Sequence, residues 1–258
     1  MLKKLTALAM GLCLSMPAMA VDVATLTQQA ENGDKNAQAK LADYYDDKQD
    51  YINTLIWTQK PAIQGDAMSQ NNLGVMYEKG QGVRQDYQQA VEWFQKSANQ
   101  GDATAQYNLG GMYAKGQGVR QDYQQAFNWY QKSANQGYAT AQNNLGGMYA
   151  KGQGVRQDYQ QAVEWFQKSA NQGYATAQYN LGVMYRDGQG VHQDYNQAIY
   201  WFTKPAIQGD AAAQNNLGVM YDEGQGVRQN KVTAKEWFGK ACDNGEQKGC
   251  DNYKLLNQ

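Results

Sequence analysis

The sequence predicts an all-α fold, a right-handed α/α superhelical solenoid of helix-turn-helix repeats of 36 residues. Three observations predict it. First, all six tryptophans (Trp57, Trp93, Trp129, Trp165, Trp201 and Trp237) stand 36 residues apart, and none lies off that ladder. A fixed period of about 20–50 residues marks stacked supersecondary units. Second, each period carries two helical hydrophobic patterns. Third, the array is flanked by partial units, as the caps of a solenoid should be.

The elements follow in order. Residues 1–20 read as a secretory signal peptide: Lys3 and Lys4 open it, an apolar run follows from Leu5, and Ala18-Met19-Ala20 offers a small-residue cleavage site. Cys13 follows Leu12 rather than a small residue, which disfavours a lipid anchor. Residues 21–32 look like the second half of a unit and form an N-terminal capping helix. Residues 33–64 are a degenerate first repeat that lacks the glycine-rich loop yet keeps Trp57 in register. Five full repeats occupy 65–244, and 245–258 form a C-terminal capping helix.

Gly101–Gln136 serves as the type unit. In its first helix Ala105, Leu109, Met112 and Tyr113 share one face at helical spacing. Gly110 lies inside that helix at a cost of about 1 kcal/mol in propensity, and the expected compensation is close backbone approach of the partner helix. Gly116 and Gly118 end the helix and make the loop. The second helix opens at Asp122, which caps it, with Gln125 placed to return the bond as in a capping box. Tyr123, Ala126, Phe127, Tyr130 and Ala134 form its apolar face. Trp129 lies on the flank of that stripe and is expected to pack toward a neighbouring repeat. Burial of a tryptophan removes on the order of 200 Å² from water, worth at most ~5 kcal/mol of gross transfer per repeat. Pro61 and Pro205 replace a serine in the last turn of their second helices and are expected to kink the helix ends.

Gly101–Gln136, with Ala-x-Ala-Gln-x-Asn-Leu-Gly, Met-Tyr, Gly-x-Gly-Val, Asp-Tyr, Ala-x-x-Trp-Tyr and a closing Gln-Gly, resembles the Sel-1-like repeat (SLR) family of tetratricopeptide-like helix pairs. The resemblance runs from about Gly33 to the C-terminus. It departs from the family pattern where arginine (Arg84, Arg120, Arg156, Arg228) or His192 stands in place of the usual proline before Gln-Asp. It implies an adaptor that presents a concave surface to a protein or peptide. The stretch Ala241–Cys250 looks like the cysteine-rich bacterial branch, which implies a disulfide between Cys242 and Cys250. Those are the two cysteines left after signal-peptide removal, and an oxidising compartment favours their pairing. Some members of that branch are linked to β-lactam binding or hydrolysis, which gives the alternative reading of a weak β-lactamase-like enzyme.

The expected ligand surface is the face of the first helix opposite its core stripe. Its candidate residues are Tyr107 and Tyr179 as aromatic anchors, Arg186, and the row Asn72, Asn108, Asn144, Asn180 and Asn216. In related tetratricopeptide domains the matching asparagine holds the backbone of an extended peptide. The competing reading is that these amides only bridge neighbouring helices. Lys115, Arg120 and Lys132 read as solvated rims.

Other function classes fare worse. Without Lys3 and Lys4 the chain carries 21 basic against 24 acidic side chains, a balance near −3, which gives no reason to expect nucleic acid. One histidine and two remaining thiols argue against a metal site. The sequence has no Ser-x-x-Lys, its glycine loops lack the Gly-Lys-Ser/Thr of a phosphate loop, and His192 occupies an ordinary loop position. The expectation is a monomeric periplasmic or secreted bacterial protein, without cofactor, metal or membrane span, that binds a protein or peptide from the envelope or a host.

Overall fold

A computed structural model describes residues 22–256; the expected signal peptide lies outside the described residues. Among these there are fourteen helices and no strand. The helix α1 (Val23–Glu31) leads the array. The degenerate unit is α2 (Lys35–Asp47) with α3 (Tyr51–Ile63). The full units are α4 (Ala67–Lys79) with α5 (Tyr87–Asn99), α6 (Ala103–Lys115) with α7 (Tyr123–Asn135), α8 (Ala139–Lys151) with α9 (Tyr159–Asn171), α10 (Ala175–Asp187) with α11 (Tyr195–Ala206), and α12 (Ala211–Glu223) with α13 (Lys231–Asp243). The last helix is α14 (Gln247–Leu255). Each helix packs on the next in sequence, so every unit touches only its neighbours, and the fold is an α/α solenoid. No helix among the described residues is long and apolar enough to cross a membrane.

Within a unit, the first helix ends where glycine turns left-handed: Gly116 has φ 68° and its N–H bonds Met112 O. The loop then runs onto the preceding unit. A Cβ on Gly118 would sit 2.2 Å from Tyr87 O, at the start of the previous second helix, so this glycine is required by contact between repeats. Asp122 caps α7 through Gln125 N, but the reciprocal arm of the expected capping box is absent. The Asp122 N–H donates instead to Tyr113 O at 3.0 Å and ties the two helices of the unit together.

Gly110 also works differently from the expectation. Its missing Cβ makes room for the Tyr130 ring, which a Cβ would meet at 2.8 Å. What approaches is mainly a side chain.

The tryptophans pack between repeats. Trp129 joins Ala90, Phe94 and Ala98 of the preceding unit, and Trp165 joins Ala126, Phe127 and Tyr130. Trp129, Trp165 and Trp201 are buried, whereas Trp57, Trp93 and Trp237 are half-buried. Lys132 is not a free rim residue: its ammonium lies 3.8 Å over the Trp129 ring, and Lys96, Lys168 and Lys240 cover Trp93, Trp165 and Trp237 in the same way.

Polar ties reinforce the stack. The buried glutamines Gln70, Gln106, Gln142, Gln178 and Gln214 each donate to a carbonyl at the C-terminus of the preceding second helix, satisfying groups that a helix end leaves free. Ser97, Ser133 and Ser169 donate to the first turn of their own first helix. Where proline replaces this serine the helix is not interrupted. α3 runs through Pro61 to Ile63, and α11 ends one residue after Pro205. The change shows instead in the hydrogen bonds. In the serine units, Gln100, Gln136 and Gln172 donate to the side-chain oxygens of Gln70, Gln106 and Gln142, whereas in the proline units the oxygens of Gln38 and Gln178 are buried without a partner.

At the C-terminus, Cys242 on α13 and Cys250 on α14 form a disulfide with a Cα–Cα distance of 4.5 Å. It fastens α14 to α13.

Candidate functional site

The first helices α4, α6, α8, α10 and α12 present the candidate residues along one face. The asparagine row is exposed at Asn72 and half-buried at Asn108, Asn144, Asn180 and Asn216. Its bonds run between first helices of adjacent repeats. Asn108 donates to Asn71 at 2.9 Å, and Asn180 donates to Asn143 at 3.0 Å. Asn252, on α14, donates to Asn215 at 3.0 Å and carries the row into the last helix. The sequence reading missed Asn252, although it stands 36 residues after Asn216.

The residue preceding the row alternates along the array: Asn71, Tyr107, Asn143, Tyr179, Asn215. That alternation decides the partners. Where it is asparagine, the next repeat's amide bonds to it. Where it is tyrosine, other groups engage the next amide. Asn144 hydrogen-bonds the hydroxyls of Tyr107 and Tyr130. Asn216 accepts from Arg186 and donates to Ala212 O at 2.8 Å. Arg186 also pairs with Asp187 at 2.7 Å.

Tyr107 and Tyr179 are half-buried. The Tyr107 ring lies 5.7 Å from that of Tyr130 and 5.3 Å from that of Tyr138, and the Tyr179 ring lies 5.7 Å from that of Phe202. Burial raises the hydroxyl pKa of Tyr107 and pushes that of Tyr130 up to about 12. The bond from Asn144 opposes both shifts.

A hollow of about 400 Å³ opens in the middle of this face. Asn143, Asn144, Asn180, Tyr130 and Lys151 supply its polar wall. Ala114, Gly147 and Ala150 make room for it where longer side chains stand in other repeats, such as Glu78 and Arg186 at the positions of Ala114 and Ala150. Asn180 uses one N–H on Asn143, and among the described residues its oxygen accepts no bond. Each amide has two donors and an acceptor with two lone pairs, so capacity for a ligand remains after the internal bonds. Among the described residues no group of histidine, cysteine, aspartate and glutamate is arranged to hold a metal ion.

The model of the Sel1 repeat matches residues 67–102, 103–138, 139–174, 175–210 and 211–246. The chain belongs to the Sel1 repeat family. Sel1 repeat solenoids generally serve as protein–protein interaction scaffolds, and they are typically not enzymes. Among curated proteins none matches the chain. Among solved structures, it is similar to a protective antigen of uropathogenic Escherichia coli with an SLR fold, at 32% identity and a TM-score of 0.77. That match covers 92% of this chain but spans only 59% of the antigen chain. A Sel1 repeat protein from Oxalobacter formigenes is 29% identical with a TM-score of 0.79, covering 86% of this chain and 88% of that one. A third Sel1 repeat structure, from Klebsiella pneumoniae, is 25% identical with a TM-score of 0.50, covering 78% and 98%.

Proposed function

We propose that this Sel1 repeat protein is an exported scaffold that holds a segment of a protein or peptide partner along its first-helix face, the concave face of the solenoid. The observation that carries this reading is the hollow of about 400 Å³ on that face, where small residues expose the amides of Asn144 and Asn180 beside the Tyr130 hydroxyl. Amides with unused capacity suit the alternating donors and acceptors of an extended backbone. Tyr107 and Tyr179 offer stiff amphipathic rings on the same face, and Arg186 adds a charge toward its C-terminal end.

Export to the periplasm or beyond is part of the proposal. It is supported by the leader-like residues 1–20 and by the disulfide between Cys242 and Cys250, which an oxidising compartment sustains. Similarity to an antigen of uropathogenic Escherichia coli fits the same compartment. The β-lactamase-like alternative is disfavoured by the site's chemistry. Its lining hydroxyls are those of Tyr123 and Tyr130, and the latter, pushed up to about 12, is a poor nucleophile at neutral pH.

The test is partner capture by crosslinking in the periplasm with the wild-type chain and with Asn144→Ala/Asn180→Ala. A folded double variant that no longer captures the wild type's partner is the expected result. A lower melting temperature with capture intact overturns the ligand role and leaves the row as a tie between repeats.

A further inference from the structure

The degenerate first unit departs from the full ones at the place where they are most tightly filled. In every full unit an aromatic ring of the second helix lies on a glycine of the first: Phe94 on Gly74, Tyr130 on Gly110, Phe166 on Gly146, Phe202 on Gly182 and Phe238 on Gly218. A Cβ on any of these glycines would come within 2.5–2.8 Å of the ring. In the first unit the ring position is Thr58 and the glycine position is Ala42. The buried alanine one turn before the ring, Ala90 in α5, is Thr54 in α3. The absent ring leaves a hollow of about 210 Å³ between α2, α3 and α4, at the N-terminal end of the first-helix face.

An emptied core position is destabilising, and an apolar residue would refill it best. Here the replacements are polar. Thr58 is 3% exposed and lines the hollow, and among the described residues its hydroxyl makes no hydrogen bond. The Thr54 hydroxyl, by contrast, is used on Asp50 O at 3.0 Å. Asp43 and Asp46 stand at the exposed mouth and make no ion pair among the described residues. Lys79 on the facing helix also lines the hollow, leaving its lining at a net single negative charge that one added cation neutralises.

We propose that this hollow receives one basic side chain of the bound partner, its aliphatic stem taking the place of the missing ring and its ammonium or guanidinium meeting Asp43 and Asp46. Val75 and Met76 offer apolar wall to the stem, and Thr58 offers its unused oxygen to an N–H. That the side chain belongs to a protein or peptide rests on the function proposed above; the pocket and its preference for a cation do not.

The test therefore uses small probes with the full chain: N-acetyl-lysine amide against N-acetyl-norleucine amide, followed by NMR shifts of the Thr58, Asn72 and Lys79 backbone amides. The lysine probe should saturate these shifts with an affinity about tenfold above that of norleucine, the advantage of a charge-assisted contact. Asp43→Asn/Asp46→Asn should erase the difference. Thr58→Phe/Ala42→Gly restores the ring-on-glycine packing of the full units; it should melt higher and lose the probe. Equal affinity for the two probes overturns the proposal, as does unchanged binding by the refilled variant. Should that variant fail to fold, the aspartate pair still decides. Asn144→Ala/Asn180→Ala should bind the probe normally, so failure of the peptide reading is separable from failure of the pocket.

Discussion

The neighbouring units Gly101–Gln136 and Gly137–Gln172 differ at five positions only, and the differences sort by what they touch. Their frameworks coincide. Trp129 and Trp165 are each 8% exposed and each is covered by a lysine at 3.8 Å, and the serine and glutamine ties repeat to within 0.1 Å. Phe127 and Val163 are both buried core, and Asn128 and Glu164 are both exposed. The other three differences, Asp102 against Tyr138, Tyr107 against Asn143 and Tyr130 against Phe166, change a cap, hydroxyls and an amide, and Tyr130, Asn143 and Phe166 line the central hollow. Framework and surface therefore vary separately. A solenoid can vary its surface in this way because every copy solves the same packing problem.

The sharpest way to break the comparison is through the framework that the two units share. Trp129→Ala and Trp165→Ala should each cost about 3–5 kcal/mol, the range for emptying a buried tryptophan site. The half-buried Trp93 should cost less on substitution. Urea unfolding of the three variants measures this. A loss under about 0.5 kcal/mol at Trp165 would remove the ladder from the framework between repeats.

This framework was legible because repetition supplies its own alignment: a residue held at the same place in every copy is marked as structural. Period, helix pairs and the flank position of the tryptophans all follow from that. What stayed hidden lies between helices. Gly110 reads as room for the backbone of the partner helix until the Tyr130 ring is seen on it, and Asp122 reads as half of a capping box until its N–H is seen on Tyr113 O. Lys132 reads as a rim charge unless its spacing of one turn from Trp129 is weighed. The site was legible as a face, not as a network. The signal for the network was the alternation of Asn71, Tyr107, Asn143, Tyr179 and Asn215, which sets whether the next amide meets an amide or turns to other groups. The pocket beside Thr58 needed the loss of glycine and ring to be read together on two helices.

A second, smaller effect separates the units by pH. Tyr130 is pushed up to about 12 by burial, whereas Phe166 has nothing to ionise. The unfolded value is about 10, so the folded state favours the neutral hydroxyl. The stability this contributes is fully present below about pH 10 and is lost as pH rises through about 12. The whole is worth about 2–3 kcal/mol, of which about half is gone by pH 11. Tyr130→Phe, which copies the neighbouring unit, should flatten the fall in urea midpoint between about pH 9 and 11. An unchanged slope would mean that Tyr130 does not ionise against burial.

The smallest effect concerns the caps. Asp102 accepts the Ala105 N–H at 2.7 Å, whereas Tyr138 caps α8 with no side-chain bond. Tyr138→Asp should restore about 1 kcal/mol of capping. It also removes a ring that lies 5.3 Å from Tyr107, a contact worth about 0.5–1.5 kcal/mol. The two terms nearly cancel in the native background, so the net change there should be small. In a Tyr107→Asn background, which again copies the neighbouring unit, the ring contact is already gone and the capping gain should appear in full. Thermal melts of the single and double variants isolate the coupling. Equal gains in both backgrounds would show that the ring contact adds nothing to stability. Unequal gains would mean that this unit gave up a helix cap in exchange for an aromatic contact beside the proposed ligand face.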